Sequence, residues 1–344
     1  MSPIISSIMI SNLALGMVIT ASSYHWLLAW MGLELNTLAI LPILAKHHHP
    51  RATEAATKYF IIQATASLII MFSSAINAWS TGTWDITQLS TYPATTTILL
   101  ALAMKLGLAP MHLWLPEVMQ GTNMSSALII TTWQKLPPLT LLYLTSNQLP
   151  FMIMASLAII SVLIGGWSGL NQTQMRKIMA FSSIAHLGWM LVILSLSQKI
   201  FILALTIYIL MTASIFLILI SFSLKTAKDL GQMWSTSPTI TTNTMFILMS
   251  LGGLPPLIGF LPKWLILKEL TINYLTPLAT ALALLSLLSL MFYIRLTYIT
   301  SLTLAPSTTN TMIKWRFKPT NPPAFLPLTS TLLLLLPMAP LLPI

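Results

Sequence analysis

Long apolar segments separated by short polar joints run through the chain from end to end. Each segment has about 20 residues, the length that an α-helix needs to cross the hydrocarbon core of a membrane. Backbone groups in lipid must be hydrogen-bonded within the segment, and strand-type alternation is absent, so we expect helices. The pattern predicts an all-α membrane protein with about eleven spans, at residues 3–21, 25–45, 52–78, 94–121, 123–146, 150–169, 175–196, 199–223, 240–272, 276–303 and 323–343.

Glycine and proline interrupt the fourth and the ninth predicted spans. The sequences GLAPMHLWLP (107–116) and GLPPLIGFLP (253–262) share five of ten residues at an offset of 146 positions. Proline removes a backbone donor and clashes with the preceding turn, so neither span can be one continuous helix. The offset of five spans predicts inverted five-helix repeats, at about 3–146 and 150–303, within a single domain 1–344 that ends in the helix 323–343. Paired broken helices in such repeats indicate an ion or substrate pathway, and the alternative is kinking for packing alone.

Composition and charge support a membrane protein and exclude several other classes. Of the 344 residues, 56% are hydrophobic and only 6% are charged, whereas a soluble domain carries about 25% charged residues. The net charge of +10 is spread over the joints, so it indicates topology and not a nucleic-acid partner. The chain has no cysteine, which excludes disulfides, thiolate-held zinc and cysteine-ligated iron–sulfur clusters. No glycine-rich nucleotide loop follows a strand pattern.

The basic residues of the joints lie almost entirely on one predicted side. Ten of them fall in alternate joints, and Lys199 is the main one on the opposite side; the ten are Lys46, Arg51, Lys58, Arg176, Lys177, Lys225, Lys228, Lys314, Arg316 and Lys318. This asymmetry follows the positive-inside rule. It predicts an N-terminus on the inside and, after eleven spans, a C-terminus on the outside. The first segment carries no basic region or cleavage signal, and we interpret it as the first span.

Four ionisable residues fall near the middle of predicted spans: Glu34, Lys105, Lys135 and Lys263. Each costs about 2.5–3.5 kcal/mol at the centre of a membrane helix, so such residues usually face protein or water and pair with one another. Snorkelling to the interface is the alternative, and it suits residues nearer the span ends, such as Lys199, Lys268 and Arg295. A purely structural ion pair is the other alternative for the four.

The chemistry of lysine favours a role in proton transfer. A desolvated ammonium can release its proton and a nearby carboxylate favours its return, whereas an arginine stays protonated. We expect Glu34 to pair with Lys105, Lys135 to pass a proton along the midplane, and Lys263 to serve the second repeat. His112 in the first break and His186 in the seventh span can extend this path, or can be packed core histidines.

Four motifs together resemble the subunit 2 family of NADH dehydrogenase, the antiporter-like membrane-arm subunits of respiratory complex I. They are GLELN around Glu34, the lysine before GLAPMHLWLPEV, WQKLPP around Lys135, and GGLPPLIGFLPKW with Lys263. The resemblance covers the whole chain and is closest to the short animal mitochondrial form, which lacks three helices of the fourteen in bacterial relatives. It implies that Glu34, Lys105, Lys135 and Lys263 occupy the family's proton-translocation positions.

The resemblance also implies where such a chain acts and with what. It implies the mitochondrial inner membrane, with the N-terminus in the matrix and the C-terminus in the intermembrane space. The implied partners are lipids, accessory subunits and other membrane-arm subunits, including subunits 4 and 4L. NADH, FMN, iron–sulfur clusters and ubiquinone would bind to other subunits, so we expect no cofactor or metal on this chain. The alternatives are a cation/proton antiporter subunit, or a scaffold that only holds the arm together.

Overall fold

The computed structural model describes residues 3–46 and 49–302, without the side chains of residues 235 and 236. The predicted helix 323–343 and the basic residues Lys314, Arg316 and Lys318 lie outside this part. The helices are α1 Pro3–Ser22, α2 Trp26–Leu44, α3 Pro50–Thr81, α4 Tyr92–Leu106, α5 Trp114–Gly121, α6 Met124–Thr131, α7 Leu136–Thr145, α8 Phe151–Gly169, α9 Met175–Leu194, α10 Gln198–Ser221, α11 Ala227–Thr236, α12 Pro238–Gly252, α13 Phe260–Ile272 and α14 Thr276–Ser301.

The predicted all-α membrane fold is confirmed. Seven of the described helices are long and apolar enough to cross a membrane, namely α1, α2, α3, α8, α9, α10 and α14. Their bounds agree with the predicted spans to within a few residues. The shorter helices α4 and α12 end at the two predicted breaks. The count of eleven spans stays a prediction.

The first helices of the two breaks end in the same way. Helices α4 and α12 each have 15 residues, and α5 and α13 begin at Trp114 and Phe260, at the same offset of 146. Each first half ends at a glycine in the left-handed region, Gly107 at φ 75° and Gly253 at φ 81°, a conformation that glycine adopts without steric cost. The N–H groups of each glycine and of the following leucine bond back to the last turn, which caps both helices alike.

The described chain divides into two compact units. The first is built from residues up to Ser161 together with Leu191–Gln198, and the second from Val162–Met190 together with the residues from Lys199 onward. The predicted division into repeats at about 3–146 and 150–303, and the inversion of one relative to the other, stay predictions.

The predicted fifth span, 123–146, is not one continuous helix. It consists of α6, a 3-10 turn at Trp133–Lys135, and α7. Pro137 and Pro138 stand in the first turn of α7 and have no N–H, so the carbonyls of Trp133 and Gln134 lose their α-helical donors. The Leu136 N–H bonds to the Trp133 carbonyl instead, which tightens the backbone into the 3-10 turn. Lys135 therefore lies at a third irregular point of the backbone.

The polar joint after the eighth predicted span contains a helix that the apolar pattern does not reveal. Helix α11 begins with a capping box in which Thr226 accepts a hydrogen bond from the Asp229 N–H. In return, the Asp229 carboxylate accepts from the N–H groups of Lys225 at 3.0 Å and Thr226 at 2.8 Å. The spacing Thr-x-x-Asp is a known start signal, and it was available in the sequence.

Backbone bonds between loops agree with the predicted order of crossings inside each unit. In the first unit, the α1–α2 loop pairs with the α3–α4 loop through Trp26 N–H to Trp84 O at 3.1 Å and Ile86 N–H to Tyr24 O at 3.0 Å. In the second unit, Gln174 of the α8–α9 loop forms a bridge with Thr226 of the α10–α11 loop. Spans that alternate in direction put each pair of loops at one end, as the positive-inside pattern requires.

Candidate functional site

Lys263 reaches back across the second break to the end of the helix before it. It lies in the first turn of α13, and its Nζ donates to the Gly252 carbonyl at 2.9 Å. Its side chain runs against Gly253, where an added Cβ would lie 2.8 Å from Nζ and 2.9 Å from Cδ. Gly252 is the last residue of α12, so the ammonium caps the negative end of the helix dipole.

A small cavity lies beside this ammonium and also reaches His186. It has a volume of about 30 Å³, and its lining includes Lys263, His186, Tyr208, Ser250 and Trp189. A buried water needs about 10–15 Å³ of such space and a few polar partners, so the cavity has room for about two waters. The rings of His186 and Tyr208 pack with centroids 5.6 Å apart. The second unit thus brings together two of the predicted site residues, Lys263 and His186.

The two halves of the second break approach so closely that only glycine fits between them. A Cβ on Gly259 would lie 1.7 Å from the carbonyl oxygen of Ser250. Ser250 lies in the last turn of α12, and Gly259 directly precedes α13. This contact fixes the start of α13, and with it the distance between Lys263 and Gly252.

In the first unit, Lys105 is buried at the end of α4 and its ammonium has no hydrogen bond. Its exposed fraction is 5%, and no described group bonds its Nζ. The Lys105 carbonyl accepts from the Gln63 side chain at 3.2 Å. Glu34 on α2 has a buried Oε2 that likewise lacks a partner. A buried polar atom without a partner is costly, and water is the usual remedy.

Glu34 and Lys105 do not form the direct ion pair that we expected. Among the described residues, the ion pairs within 4.0 Å are those of Lys58. The Glu34 carboxylate and the Lys105 ammonium therefore lie more than 4.0 Å apart.

A line of polar side chains connects α2, α3 and the 3-10 turn beside Lys135. The Gln134 side chain donates to the Asn36 carbonyl at 3.3 Å and receives the Tyr59 hydroxyl at 3.5 Å. Asn36 is 1% exposed, and its amide group has no described partner. Lys135 is 4% exposed and follows Gln134 directly. Glu34, Lys105 and Lys135 all lie in the first unit. Glu34 and Lys105 each carry a buried polar atom that has no described partner.

His112 bonds within its own loop. It is buried in the first break, and its Nδ1 lies 3.2 Å from the Pro110 carbonyl, a contact in which the ring N–H donates. The described contacts include no hydrogen bond from His112 to another predicted site residue. The hydrogen bond of Nδ1 fits a packed core histidine. If His112 transfers a proton, the other ring nitrogen, Nε2, would carry it.

The first break is capped by an indole and not by a lysine. The Trp114 Nε1–H donates to the Met104 carbonyl in the last turn of α4 at 3.1 Å. The position of Trp114 corresponds to Phe260 in the second break. The phenylalanine ring has no N–H, and in the second break Lys263 bonds a different carbonyl, that of Gly252, which is the counterpart of Leu106.

Lys58 forms a contact that the sequence revealed only in part. The spacing of Glu54 and Lys58 predicts a helical pair, and their side chains do meet at 2.7 Å. Lys58 also contacts Glu117 of α5 at 2.9 Å, and the rings of Tyr59 and Trp114 meet edge to face at 5.7 Å. Helix α3 therefore contacts α5, the second half of the first break, through both an ion pair and an aromatic pair. The contact between Lys58 and Glu117 could not be predicted from the sequence.

Arg295 contacts the loop after α8, and its snorkelling interpretation stays a prediction. Its guanidinium donates to the carbonyls of Leu170 and Gln172, the latter at 2.6 Å. It thereby fastens the loop after α8. Among the described residues there is no group of three or more His, Asp or Glu side chains that could hold a metal.

Comparison with known proteins identifies similar sequences over the whole chain. Residues 23–289 match the family described as NADH:quinone oxidoreductase/Mrp antiporter, TM, and residues 290–343 match the NADH dehydrogenase subunit 2 C-terminus. The NADH-ubiquinone oxidoreductase chain 2 of Carassius auratus is 52% identical over 99% of this chain and 98% of its own. That of Latimeria chalumnae is 53% identical over 93% of this chain and 92% of its own.

A solved structure shares the fold. A chain of respiratory complex I from Thermus thermophilus, with bound aureothin, is 27% identical, with a TM-score of 0.87. The similarity covers 98% of this chain and 79% of that one. The broken helices and their lysines thus occur in a chain that is similar to complex I membrane subunits along nearly all its length.

Proposed function

We propose a function from one premise: this chain belongs to the NADH-ubiquinone oxidoreductase chain 2 family. It is a core membrane subunit of complex I, the H⁺-translocating NADH:ubiquinone reductase, and has no redox centre of its own. It carries protons through Glu34, Lys105, Lys135 and Lys263, with His112 and His186 beside them. The chain alone is not catalytic, since the redox chemistry takes place on other subunits.

The hydrogen bond of Lys263 at the second break carries this proposal. A protonated Lys263 interacts with both the Gly252 carbonyl and the dipole of α12, an attraction worth about 0.3–2 kcal/mol. Loss of the proton removes the charge from this interaction and loosens the cap. The cavity beside Lys263 leads to His186 and has room for water. Proton transfer between Lys263 and His186 would therefore change how firmly α13 is held to α12.

Glu34 and Lys105 supply a second exchange site in the first unit. Their buried oxygen and nitrogen lack partners, so water between them would satisfy both and provide a route for a proton. The Asn36 amide extends the unsatisfied polar surface on α2. From there, Gln134 leads to Lys135 at the 3-10 turn. A shift of charge at one of these groups would change the proton affinity of the next.

The family relationship supports a location and a set of neighbours. We infer the mitochondrial inner membrane, with the N-terminus in the matrix and the C-terminus in the intermembrane space, from the vertebrate relatives and the positive-inside pattern. Other membrane-arm subunits, including subunits 4 and 4L, accessory subunits and membrane lipids would surround the chain. NADH, FMN, iron–sulfur clusters and ubiquinone would bind elsewhere in the complex.

The decisive experiment compares two substitutions of Lys263 in the assembled complex. Lys263→Gln removes both charge and proton, and Lys263→Arg keeps a charge that can cap α12 but that does not release its proton. We expect both variants to lose NADH-driven proton uptake, by on the order of a hundredfold for a lost proton-transfer group. Lys268→Gln, an exposed lysine on the same helix, is the control. Full pumping by Lys263→Arg would mean that Lys263 only holds the helix, as in a scaffold.

A cation/proton antiporter is the second candidate, because the matching family description also names Mrp antiporters. Reconstitution of the chain alone in vesicles distinguishes the two. A complex I subunit should give no sodium- or potassium-driven proton flux by itself. Such a flux, abolished by Lys263→Gln, would favour the antiporter.

A further inference from the structure

The backbone at Lys135 lacks part of the hydrogen bonding that holds a residue inside an ordinary helix. Lys135 is the last residue of the 3-10 turn that joins α6 to α7. Because Pro137 and Pro138 have no N–H, the carbonyls of Trp133 and Gln134 lack their α-helical donors. A 3-10 turn also has poorer hydrogen-bond geometry than an α-helix. The position of Lys135 therefore depends strongly on the contacts that the turn makes with other helices.

The turn makes these contacts through two consecutive side chains. The Trp133 Nε1–H donates to the Leu13 carbonyl of α1 at 3.2 Å. The amide nitrogen of Gln134 donates to the Asn36 carbonyl of α2 at 3.3 Å, and its amide oxygen accepts from the Tyr59 hydroxyl of α3 at 3.5 Å. All of these residues belong to the first unit. The turn is thus attached by side chains to three helices of that unit.

Gln134 makes the contact that connects the turn of Lys135 with the helix of Glu34. Asn36 follows Glu34 by two residues on α2, which is a rise of about 3 Å along the helix axis. Asn36 is only 1% exposed, so water cannot easily replace the bond to its carbonyl. Loss of one partner from a buried hydrogen bond leaves the other partner unsatisfied and is costly. A glutamine amide can donate and accept at once, so this one side chain holds both α2 and α3 to the turn.

We propose that Gln134 is a positioning residue for proton transfer, which fixes Lys135 relative to Glu34 through its bond to α2. This inference rests on the proposed function, in which Glu34 and Lys135 carry protons. Gain or loss of a proton at Glu34 changes the charge on α2, and Gln134 passes the resulting shift of α2 to the 3-10 turn. Coupling between sites is carried by packed helices and hydrogen bonds of this kind. Lys135 then changes its position as well as its proton affinity.

The test uses the assembled complex with Gln134→Met, a side chain of similar length that has no amide group. We expect NADH-driven proton uptake to fall roughly three- to tenfold, the factor that corresponds to a lost hydrogen bond. The pH profile of uptake should also shift, because the proton affinity of a buried lysine depends on its surroundings. An unchanged pH profile would contradict the positioning role, since a general weakening lowers uptake by the same factor at every pH.

Gln148→Met is the matched control, because it removes another glutamine of the first unit that both donates and accepts. Gln148 donates to the Thr87 carbonyl and accepts from the Leu89 N–H, so its bonds join two loops. This variant should leave both the uptake and its pH profile unchanged. Equal losses in the two methionine variants would mean that Gln134 only stabilises the fold. If Gln134→Met does not assemble, Tyr59→Phe removes one of the two bonds of Gln134 and should show the same pH shift to a smaller extent.

A double variant with Glu34→Gln tests whether Gln134 acts through Glu34. Neighbouring groups that act as one unit give combined effects that are not additive in free energy. Adding Gln134→Met to Glu34→Gln should therefore lower uptake by less than the product of the two single effects. Fully multiplied effects would refute the coupling, and so would full pumping by Gln134→Met where Glu34→Gln has lost it. Full pumping by both Glu34→Gln and Lys135→Gln would instead overturn the proposed function itself, and this inference with it.

Discussion

The approach of Gly259 to Ser250 makes the geometry of the second break sensitive to a single methyl group. In Gly259→Ala, the new Cβ would lie 1.7 Å from the Ser250 oxygen and 2.6 Å from its carbonyl carbon. Both are backbone atoms, so no side chain can move aside. The start of α13 would have to retreat by about 1.3 Å before the Cβ–oxygen distance reached 3.0 Å. Lys263 lies one turn later on α13, so its 2.9 Å bond to Gly252 would stretch or break.

Two effects of different size should follow from this shift. Overpacking of this kind costs about 1–3 kcal/mol of stability. A displacement of about 1 Å at a site of chemistry can cost on the order of a hundredfold in rate. We therefore expect a moderate loss of thermal stability and a much larger loss of NADH-driven proton uptake.

Gly252→Ala is the matched control, because it adds the same methyl group at the other side of the same break. There the nearest atom to the new Cβ is Tyr293 Cβ at 3.6 Å, an ordinary contact. This variant should be neutral or slightly stabilising, since alanine favours a helix over glycine by about 0.5–1 kcal/mol. The assay is proton uptake and thermal inactivation of the assembled complex in vesicles. Equal pumping by the two variants would refute the claim that the position of α13 controls Lys263.

Two further predictions concern the polar ends of helices. Lys58→Gln removes the contacts with Glu54 and Glu117, and because these side chains are 41–60% exposed, we expect only a small loss of thermal stability. Lys58→Arg should restore the wild-type stability, and a large loss in Lys58→Gln would contradict this reasoning. Burial acts to raise the pKa of Asp229, but hydrogen bonds from Thr226 and Lys225 outweigh it and hold the pKa below the ordinary 3.8. The cap should therefore be fully formed above pH 4 or so and be lost as the pH falls through the lowered pKa. Hydrogen exchange of α11, corrected for its intrinsic pH dependence, checks this, and Asp229→Ala should remove the dependence and speed exchange several-fold, as the loss of a cap worth about 1 kcal/mol implies.

Local rules in the sequence predicted the helices and both breaks, because apolar length and the Gly–Pro pattern act within a few residues. The 3-10 turn that ends at Lys135 could also have been predicted from the sequence, because Pro137 and Pro138 remove two backbone donors. We interpreted that segment as one span. The Thr226–Asp229 cap was missed because helix α11 is short and lies in a polar joint, where the apolar pattern gives no signal of a helix.

Contacts between distant segments could not be predicted in this way. Lys58 meets Glu117 across 59 residues of sequence, and Arg295 meets the loop at Leu170 across 125. Nothing in the charge pattern distinguishes a lysine that caps a helix from one whose ammonium has no partner. For the same reason the sequence could not show that Glu34 and Lys105 form no direct ion pair, because complementary charge gives no distance.

The first helices of the two breaks end in the same way, which makes the difference between their lysines informative. In the first break, Trp114 and Gln63 donate to the carbonyls of Met104 and Lys105, so the end of α4 is capped by neutral groups. The Lys105 ammonium therefore takes no part in capping α4. In the second break, phenylalanine stands at the position of the indole, and the Lys263 ammonium bonds the Gly252 carbonyl at the end of α12. A change of protonation at Lys105 would therefore alter charge with little effect on α4, whereas the same change at Lys263 would also alter how α12 holds α13. The two breaks can therefore have different functions. Protonation of Lys105 would change only the local charge, and protonation of Lys263 would also change the contact between α12 and α13.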